Sequence, residues 1–144
     1  MLEKPRGKLL SICTEHHLAL VYLFGSQAGE GLALLEGRTF RTGDALADLD
    51  VGVVTKIPLP EAVARTKYYA SLYDEFTDLF APFTLDLCLL EENHSVFQME
   101  AMNGICIYYC DERTREDYEM RILRRAADFR PFLARYLREV LEEV

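Results

Sequence analysis

Leu18-Ala-Leu-Val-Tyr-Leu-Phe-Gly-Ser26 is the stretch that decides the fold. Seven apolar residues run without a break and stop at Gly25. A short apolar run closed by a turn residue is the pattern of a buried strand. Residues 26–33 then begin a short helix. Glycine lets the backbone come close to an anion. The amides that follow, with the Ser26 hydroxyl, can hold phosphate oxygens at a helix N-terminus.

Outward from this strand, the next informative segment is Asp48-Leu-Asp-Val-Gly-Val53. It opens a second, valine-rich strand over Leu49–Thr55. Residues two apart in a strand share a face, so Asp48 and Asp50 can converge on one cation while Leu49 enters the core. Asp86 is a single acid in Thr84-Leu-Asp-Leu-Cys-Leu-Leu90. The composition of Phe83–Leu90 predicts a third strand buried on both faces. An isolated buried carboxylate costs several kcal/mol unless it is paired or binds metal. If the second and third strands are neighbours, Asp86 joins Asp48 and Asp50. Three carboxylates on rigid strands suit one or two Mg²⁺ ions, whose shells are completed by water and phosphate oxygens. Asp-x-Asp and Gly-Ser carry little alone; their order along the chain carries the inference.

The remaining segments supply helices. Pro5–His17 reads as an amphipathic helix with Leu9, Leu10, Ile12 and Cys13 apolar, and with His16 and His17 at its dipole-negative end. Residues 34–47 lack periodicity and are expected to form a loop, mobile without nucleotide. Pro60 suits the first turn of a helix running to Phe80, on which Tyr68, Tyr69 and Tyr73 fit a packing face. Ser95–Gln98 has a capping-box pattern, and Gly104 a C-terminal stop. Ile105–Tyr109 reads as a strand. Asp111 is placed to cap a helix to about Ala127, where Pro131 breaks or restarts it. The helical tail spans about 112–144, and along it Ile122, Ala126, Phe129, Leu133, Leu137 and Val140 form a stripe. Strands alternating with helices give an α/β (α+β) class: a mixed sheet flanked by helices, in one domain over 1–144.

Charge narrows the function. The chain of 144 residues carries 16 basic and 24 acidic side chains, a net of −8. Nucleic acid and anionic membrane both need a positive footprint, so neither is an expected partner. Cys13, Cys88, Cys106 and Cys110 form no C-x-x-C pair, which argues against zinc held by thiolates. With no secretory signal recognisable, free thiols in the cytoplasm are expected. The longest apolar run is too short to span a bilayer.

Leu23-Phe-Gly-Ser-Gln-Ala28, Asp48-Leu-Asp-Val-Gly-Val53 and Leu85-Asp-Leu87 together resemble the signature of the DNA polymerase beta nucleotidyltransferase superfamily. The small size, Ile107-Tyr-Tyr-Cys-Asp-Glu-Arg113 and Ala127-Asp-Phe-Arg-Pro-Phe-Leu-Ala-Arg-Tyr136 are similar to its minimal members, the antitoxin partners of HEPN-domain toxins. The resemblance implies ATP as substrate and Mg²⁺, with two ions. It implies that Gly25 and Ser26 hold the triphosphate. Asp48 and Asp50 would bind metal, and Asp86 would complete the site and help activate the acceptor hydroxyl. For minimal members it implies transfer of AMP to a tyrosine of a HEPN toxin. A small-molecule (antibiotic-type) nucleotidyltransferase and a non-catalytic binding antitoxin are the alternatives, and homo-oligomerisation is left open. One departure stands out. The family keeps an arginine in a Gly-Ser-x-Ala-Arg-Gly pattern, where this chain has Gly29 and Glu30. Arg38 or Arg41 is available to replace that charge.

Overall fold

In the computed structural model, residues 4–42 and 47–142 are described. The elements are α1 (Pro5–Glu15), β1 (Leu18–Phe24), α2 (Ala28–Leu35), β2 (Leu49–Thr55), α3 (Ala62–Phe80), β3 (Leu85–Leu89), a single 3₁₀ turn (Leu90–Glu92), α4 (Ser95–Met102), β4 (Ile105–Tyr109) and α5 (Glu112–Glu142). The four strands form one sheet in the order β3-β2-β1-β4. β1 pairs antiparallel with both β2 and β4, whereas β2 and β3 run parallel. The expected class, a mixed sheet flanked by helices, is what is found.

β1 is central, and every one of its residues is buried. This follows from its unbroken apolar run, since a strand with helices on both sides has no wet face. On one side α1, α2 and α3 cover it, and Leu9, Val21, Leu23, Val51, Leu72 and Phe76 form the larger core. Gly31 lets α2 lie directly against the Leu23 and Leu49 side chains. On the other side α4 and α5 pack over β1 and β4. A smaller core there joins Tyr22, Phe24, Ala101, Tyr118 and Ile122. Its buried hydroxyls are satisfied: Tyr22 donates to Glu119 at 2.9 Å and Tyr118 to Gln98 at 2.7 Å. Each edge strand has a carbonyl taken by a helix side chain. Tyr69 on α3 donates to the Leu87 carbonyl at 2.7 Å, and Arg6 on α1 to the Ile107 carbonyl at 3.1 Å.

Several expectations need correcting. α3 starts at Ala62, so Pro60 precedes the helix instead of entering its first turn. β3 is shorter than Phe83–Leu90 and is not buried on both faces: Leu85, Leu87 and Leu89 point inward, while Asp86 is exposed and Cys88 half-buried. The cap of α4 is the His94 imidazole, which accepts from the Val96 amide at 3.2 Å. Gln98 is buried instead and donates to the Asn93 carbonyl at 2.8 Å. Asp111 does cap α5, accepting from the Thr114 amide at 2.7 Å, but the helix then runs unbroken through Pro131. Ala127 and Pro131 are both exposed, so solvent can meet the carbonyl that proline leaves without an amide. Ile122 and Ala126 of the stripe are buried and Phe129 is half-buried against His94, but Leu137 and Val140 are exposed.

Residues 34–47 are only partly a loop. Leu34 and Leu35 end α2, and the segment after it is tethered. The Arg38 amide donates to the Ala33 carbonyl at 2.8 Å, and the Arg41 amide to Glu30 Oε2 at 2.6 Å. Phe40 lies on Phe83 with ring centres 5.5 Å apart. Residues 43–46 lie outside the described residues.

Candidate active site

β1 ends in a turn at Gly25, whose φ of 74° belongs to the left-handed region that glycine adopts freely. Ser26 follows, and Gln27 stands at the N-cap of α2. Gly25 and Ser26 are both exposed, at the N-terminal end of that helix. Phe24 at the end of β1 is opposite Asp50 on β2. A β-carbon on residue 25 would collide with Asp50 Oδ2, so the missing side chain is what allows carboxylate and turn to meet.

The parallel pairing of β2 with β3 sets Asp50 level with Asp86. Their side chains are close enough for Asp86 to act directly on the Asp50 carboxyl. Asp48 lies two residues before Asp50, just outside the strand, and is exposed. Asp50 is half-buried, and its carboxyl is pushed up to about 6, first by burial, then by Asp86, and more weakly by Asp48 and Glu100. The cause is two-fold: lost hydration disfavours the charge, and neighbouring carboxylates repel it. All these acids belong to the sheet face that bears α4 and α5.

Two neighbours were not anticipated from sequence. Glu100 on α4 acts on Asp50 through space, and no motif marks it. The Cys88 thiol is 4.0 Å from Asp86 Oδ1. Burial, then the charges of Asp86 and Asp50, push that thiol up to about 11. It therefore remains neutral at physiological pH and is no nucleophile.

Arg38 and Arg41 now separate. Arg38 pairs with Glu36 at 3.1 Å, beyond the C-terminal end of α2. Arg41 is held through its amide by Glu30, in the first turn of α2, and its exposed guanidinium makes no ion pair among the described residues. Gly25-Ser26 lead into that same end of α2.

The chemistry of Asp48, Asp50 and Asp86 suits a hard divalent cation, since their donors are all oxygens. As they stand, their carboxylates do not converge as a trio: among the described residues only Glu15, His16 and Glu75 bring three ligand atoms within 4.8 Å of one another.

No protein-family model matches the sequence, and no curated protein matches it. Solved structures do. A chain of a mutant MntA–HepT-type toxin–antitoxin complex superposes with a TM-score of 0.64 at 15% identity, over 94% of this chain and 98% of the other. The fold is that of a nucleotidyltransferase. A toxin–antitoxin structure with AMP-PNP gives 0.62 at 15% identity, over 94% and 98% of the two chains. A complex of tri-AMPylated Shewanella oneidensis HEPN toxin with MNT antitoxin gives 0.61 at 14% identity, over 95% and 96%. Among the described residues no helix of this nucleotidyltransferase fold is long and apolar enough to cross a membrane.

Proposed function

We propose that the chain is a Mg²⁺-dependent nucleotidyltransferase that moves AMP from ATP to a tyrosine of a HEPN-domain toxin in the cytoplasm, and so acts as that toxin's antitoxin. The observation that carries this reading is the meeting of the Gly25 turn with Asp50 and, through the β2–β3 register, with Asp86. The likeness to toxin–antitoxin structures, one with AMP-PNP and one with AMPylated toxin, supports the choice of nucleotide and acceptor.

In this reading Gly25, Ser26 and the first amides of α2 hold the triphosphate, as helix N-termini hold anions. Asp48, Asp50 and Asp86 would hold the metal, which when bound neutralises phosphate charge and polarises the reacting phosphate. The tyrosine oxygen attacks the α-phosphorus, its proton passes to the Asp86 carboxylate, and the bond to the β-phosphate breaks to release pyrophosphate. Exposed Asp86 is accessible to a side chain on a protein, which a deep pocket would exclude. Arg41 supplies the cation missing after Gly25-Ser26, since Arg38 is engaged elsewhere.

The test incubates the chain with ATP, Mg²⁺ and a HEPN-domain partner, followed by mass spectrometry of the partner. AMP on a tyrosine supports the proposal. A stable complex without added mass turns the reading to a binding antitoxin. Neither result directs the search to small-molecule acceptors.

A further inference from the structure

Away from the aspartates, α1 and α3 bring together Glu15, His16 and Glu75. One ligand atom from each lies within 4.8 Å of the other two. Glu15 is the last residue of α1 and His16 its C-cap, while Glu75 lies in the body of α3. The ring is positioned from behind. The His16 side chain is only 10% exposed, and the Tyr68 ring meets it edge-on with centres 5.8 Å apart. The Tyr68 hydroxyl also donates to the His16 carbonyl at 2.8 Å, which fixes the backbone carrying the ring. His16 Nε2 points at Glu75 Oε2.

An ordinary His–Glu pair explains part of this arrangement, but not its charge. Glu15 makes no hydrogen bond or ion pair among the described residues. Glu15, Glu75 and Asp78 line one open cleft, in which Lys8 is the only cation among the described residues. A protonated His16 would compensate Glu75, and Lys8 one of the other two acids, which leaves an excess of one negative charge in the cleft. We propose that Glu15, His16 and Glu75 bind a divalent transition-metal ion of the zinc type, which clasps the end of α1 to α3. An imidazole nitrogen beside two carboxylates favours zinc over magnesium, the reverse of an all-oxygen site. Three protein ligands and a water are a regular zinc shell. Zinc–ligand bonds of about 2.0–2.2 Å place tetrahedral donors roughly 3.4 Å apart. Glu15 is exposed and Glu75 half-exposed, so both side chains have room to turn toward that spacing, while the ring is buried.

The experiment titrates zinc chloride into the full chain carrying Asp48→Asn, Asp50→Asn and Asp86→Asn, which removes the other carboxylate site. Calorimetry and thermal melting are both read, with magnesium chloride as control. The expected result is one zinc per chain, a higher Tm with zinc but not with magnesium, and about tenfold or greater loss of affinity on adding Glu15→Gln. Glu15 is exposed and unpaired, so that change leaves the fold intact. If the triple variant is unstable, the same difference of one zinc is read between the otherwise unaltered chain and its Glu15→Gln variant. Anomalous diffraction from a zinc-soaked crystal should place the ion between the three side chains. No zinc binding, equal affinity with and without Glu15, or an ion held by thiols would overturn the assignment.

Discussion

The sheet face that carries α4 and α5 has two halves built on opposite rules. Over β1 and β4 it is closed: Tyr22, Phe24, Tyr118 and Ile122 are buried, and the hydroxyls of both tyrosines are hydrogen-bonded. Over β2 and β3 it bears Asp50, Asp86 and Cys88, with Asp86 exposed and Asp50 half-buried. The first half stabilises the fold. The second holds like charges against one another, and burial together with the neighbouring carboxylates raises Asp50 to about 6. One face thus joins a region optimised for packing to a region in which burial and like charges disfavour the ionised form of Asp50. Such a division is expected where a site must bind charge.

The comparison can be broken at several points. The largest effect belongs to the open half. Asp50→Asn should lower AMP transfer below about one-hundredth of the parent rate, a loss of roughly 3 kcal/mol or more in transition-state stabilisation. Far-ultraviolet circular dichroism should be unchanged, and transfer near the parent rate would remove Asp50 from the chemistry. In the closed half, Ile122→Ala should cost about 2–4 kcal/mol in urea unfolding, because the side chain is 1% exposed and leaves a cavity. A cost under about 1 kcal/mol would mean that α5 is not docked on the sheet as described.

Gly25→Ala tests the seam between the halves. Its φ of 74° and the collision with Asp50 should together cost about 1–3 kcal/mol. ATP binding measured by calorimetry should weaken in the same variant.

The smallest effect has the opposite sign. Asp50 has a folded-state value of about 6 against an ordinary 3.8. Its protonated form therefore favours folding, fully below about pH 4, and this contribution disappears as pH rises through 6. Asp50→Asn, which does not titrate, should accordingly raise stability at pH 8 by on the order of 1 kcal/mol after solvent screening, and by almost nothing near pH 4. Thermal melts at both pH values measure this. A gain that is the same at both would assign the effect to shape and not to charge.

How much of this could be read from sequence differs by element. β1 and β2 were legible to the residue, because an unbroken apolar run and an acid-opened valine strand admit few other readings. The pairing of Asp50 with Asp86 depended on β2 and β3 being neighbours, which only tertiary structure decides. β3 looked two-sided because Cys88 counts as apolar, yet alternation sends it and Asp86 to the same face. Pro131 looked like a break, because propensity assigns about 3 kcal/mol against proline inside a helix. Its exposed position on a 31-residue helix lets the rest of the helix override that preference. His94 as a cap and Glu100 beside Asp50 left no pattern to read, since both act through distance in space and not through spacing in the chain.

The two carbonyl contacts at the sheet margins have a consequence for assembly. A four-stranded sheet has two rims, and each rim is a template on which a further strand from another molecule can grow. Here Tyr69 occupies a carbonyl of β3 and Arg6 one of β4. An incoming strand would have to displace a phenol at one rim and a guanidinium at the other before its amides could pair. One carbonyl on each rim is therefore already engaged, which disfavours strand addition there, while the acid-bearing face carries no such stopper.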